Sequence, residues 1–220
     1  PSACTPRQTG ADPARLALTG AYLGQVVIAL LAAAAVGGEY GSGMIRLTLT
    51  AVPRRLTAFT AKALVTAGAA VAAALLAVAG SEFAGWLILP GRGLTAANGY
   101  VPLSLGDAVG LRAAGGTVIY LALVALLAFG LTTAVRDSAG GIGVVLGVLF
   151  LLPIASAVIP DHVLSRHLQQ VAPLNAGLLI QVTEGVGQLP LTPWQGLGVT
   201  ALWAVGALTL GAAVLRLRDA

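Results

Sequence analysis

The chain has 220 residues, of which 57% are hydrophobic and only 9% are charged, and its mean hydropathy is +0.91. Soluble domains usually carry about 25% charged residues, so the composition excludes an ordinary water-soluble protein and indicates an integral membrane protein. The net charge of +4 comes without basic residues interleaved with aromatic ones, so we expect no nucleic-acid partner. Cys4 is the single cysteine, which excludes a disulfide within the chain.

Five apolar segments follow a polar, proline-containing segment at residues 1–15, which we expect to be external. Each is close to the roughly 20 residues that cross about 30 Å of hydrocarbon. All should be helices, because a backbone exposed to lipid must satisfy its own hydrogen bonds. The sequence therefore predicts an all-α, polytopic helical bundle, one transmembrane domain over residues 1–220, with spans near 16–36, 59–80, 113–135, 139–159 and 194–215.

The joint between the first two spans, residues 38–58, is the most basic and glycine-punctuated part of the chain. Clustered glycines break helices, so we expect the first span to end near Val36 and the chain to turn sharply. The stretch MIRLTLTAV then predicts a short interfacial helix that ends before Pro53. Lys62, in the first turn of the second span, should extend its ammonium back to the headgroups. A plain basic loop would explain the charges, but not the order of acid, glycine hinge and amphipathic piece.

Two later connections contrast in length. Arg136-Asp137-Ser138 is a minimal turn, which predicts a tight antiparallel hairpin of the third and fourth spans. Residues 160–193 should form a re-entrant external loop, since four prolines divide it into short pieces. Within it, DHVLSRHLQQV has the apolar spacing of a short amphipathic helix. His162 and His167 do not share a helix face there, so we expect no metal site.

The charges divide unequally between the two predicted sides. The side with residues 38–58, the 136–138 turn and the C-terminus carries seven basic and three acidic residues, whereas the other side carries five of each. Basic residues collect on cytoplasmic loops, which predicts a multi-pass protein of the cell (plasma) membrane with a cytoplasmic C-terminus. The seven basic residues are Arg46, Arg54, Arg55, Lys62, Arg136, Arg216 and Arg218.

Gln25 and Glu82 are the polar residues that we consider for a substrate path. Gln25 interrupts the first span. Glu82 follows Lys62 by 20 residues, about 30 Å along a helix, which places it at the outer interface; contact with a substrate or ion stays the alternative. Otherwise the predicted spans hold no Asp, Glu, Lys, Arg or His at mid-membrane depth, which disfavours a proton- or sodium-coupled carrier. Neither paired carboxylates nor a nucleophile elbow indicates catalysis in the membrane.

The stretch GEYGSGMIRLTLTAVPRRLTAFTAKAL resembles the first cytoplasmic segment of ABC-2 type transporter permeases, especially those of high-GC Gram-positive bacteria. The family pattern is E-Y-x-x-G-x-I/L-R at the end of one span, then P-x-R and a lysine that opens the next. AVRDSAGGIGVVLGVLFLLP, APLNAGLLIQV, LTPWQGLGV and the terminal LRLRDA are similar to later parts of the family, in the same order. The matching residues of the first pattern are Glu39, Tyr40, Gly43, Arg46, Pro53, Arg55 and Lys62.

The resemblance implies the transmembrane subunit of an ATP-driven exporter, a homo- or heterodimer whose separate ATP-binding subunits carry the ATP and Mg. It implies six spans, of which five are present, so we expect an N-terminally truncated chain that lacks the first. It also implies that residues 38–58 couple to the ATPase, through Glu39, Tyr40, Arg46, Pro53, Arg54, Arg55 and Lys62.

One feature of the sequence supports a separate ATPase partner independently of the resemblance. A phosphate-binding P-loop ends in Lys-Ser/Thr, but Lys62 is the only lysine and Ala63 follows it. We therefore expect no cofactor and no ATPase activity in this chain. The alternative reading is a non-transporting membrane assembly or regulatory protein.

Overall fold

The computed structural model describes residues 13–41, 55–89, 91, 107–183 and 186–217. These residues form helices and no strand, and five of the helices are long and apolar enough to cross a membrane. For the described residues, the predicted helical architecture with five helices suited to a multi-pass membrane protein is therefore confirmed. The predicted interfacial helix, with Arg46, Pro53 and Arg54, lies outside the described residues, as does Arg218.

Shorter helical pieces accompany the five long helices. A short helix α1 (Pro13–Ala17) and a 3₁₀ turn (Leu18–Gly20) precede the first long helix, and two further 3₁₀ turns, Leu179–Gln181 and Val186–Gln188, precede the fifth. In chain order the others are α2 (Ala21–Gly41), α3 (Arg55–Ile88), α4 (Ala108–Val135), α5 (Ser138–Val158), α6 (His162–Val171), α7 (Pro173–Leu178) and α8 (Pro193–Leu217).

Helix α4 is the centre of the bundle. In its most apolar stretch 72% of residues are buried, against 22–39% in the other four long helices. It packs on α2, α3, α5 and α8, and most extensively on α8. The α4–α8 contact is close because glycines face backbone: a Cβ on Gly130 would lie 2.5 Å from the carbonyl carbon of Ala207. Small residues at such crossings let membrane helices approach closely.

The α4–α5 turn has the minimal form that the sequence predicts. Helix α4 ends at Val135, and Arg136 adopts a left-handed conformation with φ of 63°, donating its backbone N–H to Thr132 O at 2.8 Å. The Asp137 carboxylate then accepts a hydrogen bond from the Gly140 N–H at 2.6 Å, which caps the N-terminus of α5. The tight antiparallel hairpin is confirmed.

The segment between α5 and α8 returns into the bundle. Helix α6 forms where the amphipathic spacing predicts it. After it, α7 and the following 3₁₀ turn are largely buried against α4 and α8. The Thr200 hydroxyl donates to Pro173 O at 3.1 Å, and Arg112 Nη2 donates to Val182 O at 2.6 Å. Helices α4 and α8 therefore both bind the backbone of residues 173–182, which we call the wedge.

Two predicted helix ends are wrong. Helix α2 continues past Val36 to Gly41, because Gly37 is a packing position rather than a break: a Cβ there would lie 2.5 Å from the Cα of Ser138. Helix α3 continues past Gly80 to Ile88, since a single glycine inside an apolar helix costs only about 1 kcal/mol. The 81–112 connection predicted from sequence therefore begins with two further helical turns.

Candidate functional site

One end of the bundle brings predicted coupling residues together. Glu39, in the last turn of α2, forms an ion pair with Lys62, two turns into α3. The side chains are 28% and 33% exposed, respectively, so the pair lies at the border of the packed bundle. It joins the two helices that flank the 38–58 joint. We call this end, with Tyr40 and Arg136, the coupling end, after the role that the sequence predicts for its residues.

Arg136 connects the coupling end to the last helix. Its Nη2 donates to Val214 O of α8 at 3.2 Å. Tyr40 is half-buried, within electrostatic range of both Arg136 and Glu39. Together with the approach of Gly37 to Ser138, these contacts tie the end of α2 to the α4–α5 turn and to α8.

An apolar cluster supports the polar residues of the coupling end. The rings of Phe59 and Phe129 lie 5.1 Å apart at an interplanar angle of 56°, a tilted geometry that aromatic pairs favour. Val36, Ala63 and Leu215 complete the cluster. Because α2, α3, α4 and α8 all contribute to it, movement of the α2–α3 end must disturb every helix that meets there.

The structure places the predicted coupling residues as follows. Glu39, Tyr40 and Lys62 meet at the coupling end, whereas Arg46, Pro53 and Arg54 lie outside the described residues. Arg55 is the first residue of α3, one turn before Phe59, so its backbone lies at the same end as Arg136. Arg136 itself was counted in the charge distribution but not assigned to coupling, although its place in a minimal turn was the available signal.

A second polar group is buried deep in the bundle. Gln25 and Tyr120 are fully buried, and the Tyr120 hydroxyl donates to Gln25 Oε1. One turn away on α4, Thr117 Oγ1 accepts a hydrogen bond from Gln181 Nε2 at 3.2 Å. Gln25 Nε2 has no hydrogen-bond partner among the described residues. The sequence signalled Gln25 as a polar interruption, but nothing in it indicated Tyr120 as its partner. A substrate-path role for Gln25 stays a prediction.

Glu82 lies near the opposite end of α3 from Lys62. It is 9% exposed, beside Ser81, whose hydroxyl approaches Gly20. On the same turn, Phe83 and Trp86 are exposed and stack with ring centroids 6.3 Å apart. Exposed aromatic residues of this kind concentrate at membrane–water interfaces, which fits the interfacial depth predicted for Glu82. Contact of Glu82 with a substrate or ion is untested and stays a prediction.

Among the described residues, no group of three or more His, Cys, Asp or Glu side chains could hold a metal ion. A scan against protein-family models, a search of curated proteins and a search of solved structures give no match to this chain. The observations that bear on function are therefore the sequence motif around residues 38–58 and the geometry of the coupling end.

Proposed function

We propose that the chain is the transmembrane subunit of an ATP-driven ABC-2 type exporter. It forms the substrate path as a homo- or heterodimer, and it is coupled to a separate ATP-binding subunit that holds the ATP and Mg. One observation carries the proposal: the Glu39–Lys62 ion pair joins α2 to α3 at the joint where the motif places the coupling segment.

The proposed mechanism uses the contacts of the coupling end. Closure of the partner ATPase pushes on residues 38–58, with Arg46, Arg54 and Arg55 as its contacts. Glu39 and Lys62 link α2 to α3 at this end, because displacing either helix alone would separate the two charges. Arg136, bonded to Val214, passes the displacement to α4 and α8. Tilting of α2 and α3 then opens a path along the dimer interface.

The proposal also includes an orientation of the protein in the membrane. The coupling end, with the C-terminus, lies in the cytoplasm of a cell whose plasma membrane holds the protein, since the predicted basic excess is on that side. The exposed Trp86 at the other end of α3 and the exposed Trp194 at the start of α8 would anchor the outer interface.

Co-purification with a Walker-motif ATPase encoded beside the chain tests the proposal. We expect the double variant Arg54→Glu/Arg55→Glu to lose the ATPase, because like charges across an interface cost several kcal/mol. Arg166→Glu, on exposed α6, is the matched control and should retain it. The reconstituted complex should show ATPase activity that the transported substrate stimulates. Equal co-purification of both variants would overturn the coupling assignment and favour a non-transporting membrane protein.

A further inference from the structure

A narrow slot separates α2 from α3 above the coupling end. It encloses about 300 Å³. The two helices touch little along their length, and Ala125 of α4 forms part of the floor between them. The lining extends over about 10–12 Å, at 1.5 Å per residue, on each helix. It includes Ile28, Ala35, Thr66, Ala69 and Ala73.

The residues that line the slot indicate which class of molecule it can bind. It is uncharged, and Thr66 is its only hydroxyl-bearing residue. A cavity of this kind in a hydrocarbon environment gives water too few polar partners to be held. The alanines are too short to fill the gap from either side, so the slot suits a slender apolar chain that lies parallel to the helices. In a bilayer that chain is a lipid acyl chain.

A cation stands at the end of the slot. Lys62 precedes Thr66 by one helical turn and Glu39 follows Ala35 by one turn, so the ion pair lies on the helix faces that line the slot. An ammonium has three donors, and Lys62 uses one of them on Glu39. The others can meet a lipid phosphate whose acyl chain occupies the slot. Because lipid tails contact apolar helices without preference, selectivity has to come from this charge.

We infer that the α2–α3 slot binds one anionic phospholipid, with an acyl chain between the helices and its phosphate at Lys62. A bound lipid would fill the gap between the two helices whose ends the Glu39–Lys62 pair joins. The inference does not depend on transport, since it concerns this chain alone.

Native mass spectrometry of the purified, delipidated chain tests the inference, with dioleoyl phosphatidylglycerol and dioleoyl phosphatidylcholine as probes. We expect one phosphatidylglycerol to bind about fivefold more tightly than phosphatidylcholine, since one lysine near a lipid surface contributes about 1 kcal/mol. Lys62→Gln should abolish the preference, whereas Glu39→Gln should increase it, because the ammonium then loses its competing carboxylate. Equal affinities for the two lipids in the unmodified chain would overturn the inference.

A matched pair of variants tests the position of the acyl chain. Ala69→Phe fills the slot and should weaken phosphatidylglycerol binding about tenfold, the scale of an overpacked site. Ala72→Phe, exposed on the same helix and outside the slot, should leave binding unchanged. Ala73→Leu gives a smaller obstruction and should retain the fold if Ala69→Phe does not. An Ala69→Phe variant that binds phosphatidylglycerol as tightly as the unmodified chain would refute the site.

Discussion

At the scale of single residues, the Glu39–Lys62 pair contributes through position rather than through stability. Ion pairs at such partly exposed sites are worth about 0–1 kcal/mol. The pair nevertheless brings together two helix ends that the chain joins through residues 42–54. Its two members should therefore be exchangeable if they act on each other, and not if Glu39 contacts a partner protein.

A charge exchange separates these roles. Glu39→Lys alone should reduce the stimulated ATPase activity of the complex about tenfold, because two lysines then face each other and repel. The exchange variant Glu39→Lys/Lys62→Glu should restore most of that activity. If the single variant loses the ATPase and the exchange does not recover it, Glu39 binds the partner rather than Lys62.

The buried Gln25–Tyr120 hydrogen bond makes a separate prediction. Tyr120→Phe leaves the Gln25 amide buried without its donor, which should lower the free energy of unfolding by about 1–2 kcal/mol. Gln25→Leu/Tyr120→Phe removes both polar groups and should recover much of that loss. Denaturant unfolding of the detergent-solubilised chain measures both. A double variant less stable than Tyr120→Phe would show that Gln25 is held by other contacts.

Some of these residues could be predicted from the sequence, but others could not. Glu39 and Lys62 stood out in the sequence because each places a charge beside an apolar span, whereas Tyr40 was named only through the family resemblance. Arg136 and Tyr120 were not assigned their contacts, since those depend on which helices become neighbours. A hydroxyl in an apolar span gives no sign of whether it faces lipid, a ligand or Gln25 until the helices are packed.

At the scale of elements, the α4–α8 crossing depends on glycines that only the structure distinguishes. The chain has 29 glycines. Gly130 meets the backbone of α8, whereas Gly143 on α5 has no atom within 4 Å of the position that a Cβ would take. Hydropathy counts both residues alike, so the sequence predicted the spans but not their contacts.

Alanine substitutions measure this difference. Gly130→Ala should destabilise the chain by about 1–3 kcal/mol, because α4 and α8 must separate to admit the methyl group. Gly143→Ala, in open space, should be neutral or stabilising by up to about 1 kcal/mol through helix propensity. Thermal unfolding of the two variants under the same detergent conditions gives the comparison. Equal stabilities would mean that the α4–α8 crossing is not held by this close approach.

The predicted helix ends failed for a related reason. Glycines 37, 38 and 41 suggested a break, yet α2 continues to Gly41 because Gly37 packs on Ser138. Tertiary contact overrode the local preference there. The α4–α5 turn was predicted correctly, because a connection of only two residues forces the helices on either side into a hairpin.

At the scale of the whole molecule, the two ends of the bundle differ in character. Glu39, Lys62 and Arg136 gather at one end, while exposed Phe83, Trp86 and Trp194 mark the other. The composition alone predicted a bundle in a membrane. The side of the membrane that each end faces is inferred from the positive-inside rule. Cysteine labelling tests that orientation directly.

In a Cys4→Ser background, Ala139→Cys reports the coupling end and Thr192→Cys the other; both positions are exposed. A membrane-impermeant maleimide should label Thr192→Cys in intact cells, and Ala139→Cys only after permeabilisation. The expectation follows from the basic excess at the coupling end. The reverse pattern would invert the topology and remove the coupling end from any cytoplasmic ATPase.

The wedge formed by α7 and its following turn has a consequence for biogenesis. Its backbone accepts hydrogen bonds both from Arg112, on the central helix α4, and from Thr200, on α8, which is synthesised after the wedge. A nascent polypeptide without α8 therefore holds an unfinished interior, in which Thr117, Tyr120 and Gln181 lack part of their enclosure. Insertion can proceed helix by helix, but the interior can pack fully only after α8 has been synthesised. Chains truncated before Pro193 should therefore be rapidly degraded by membrane quality control.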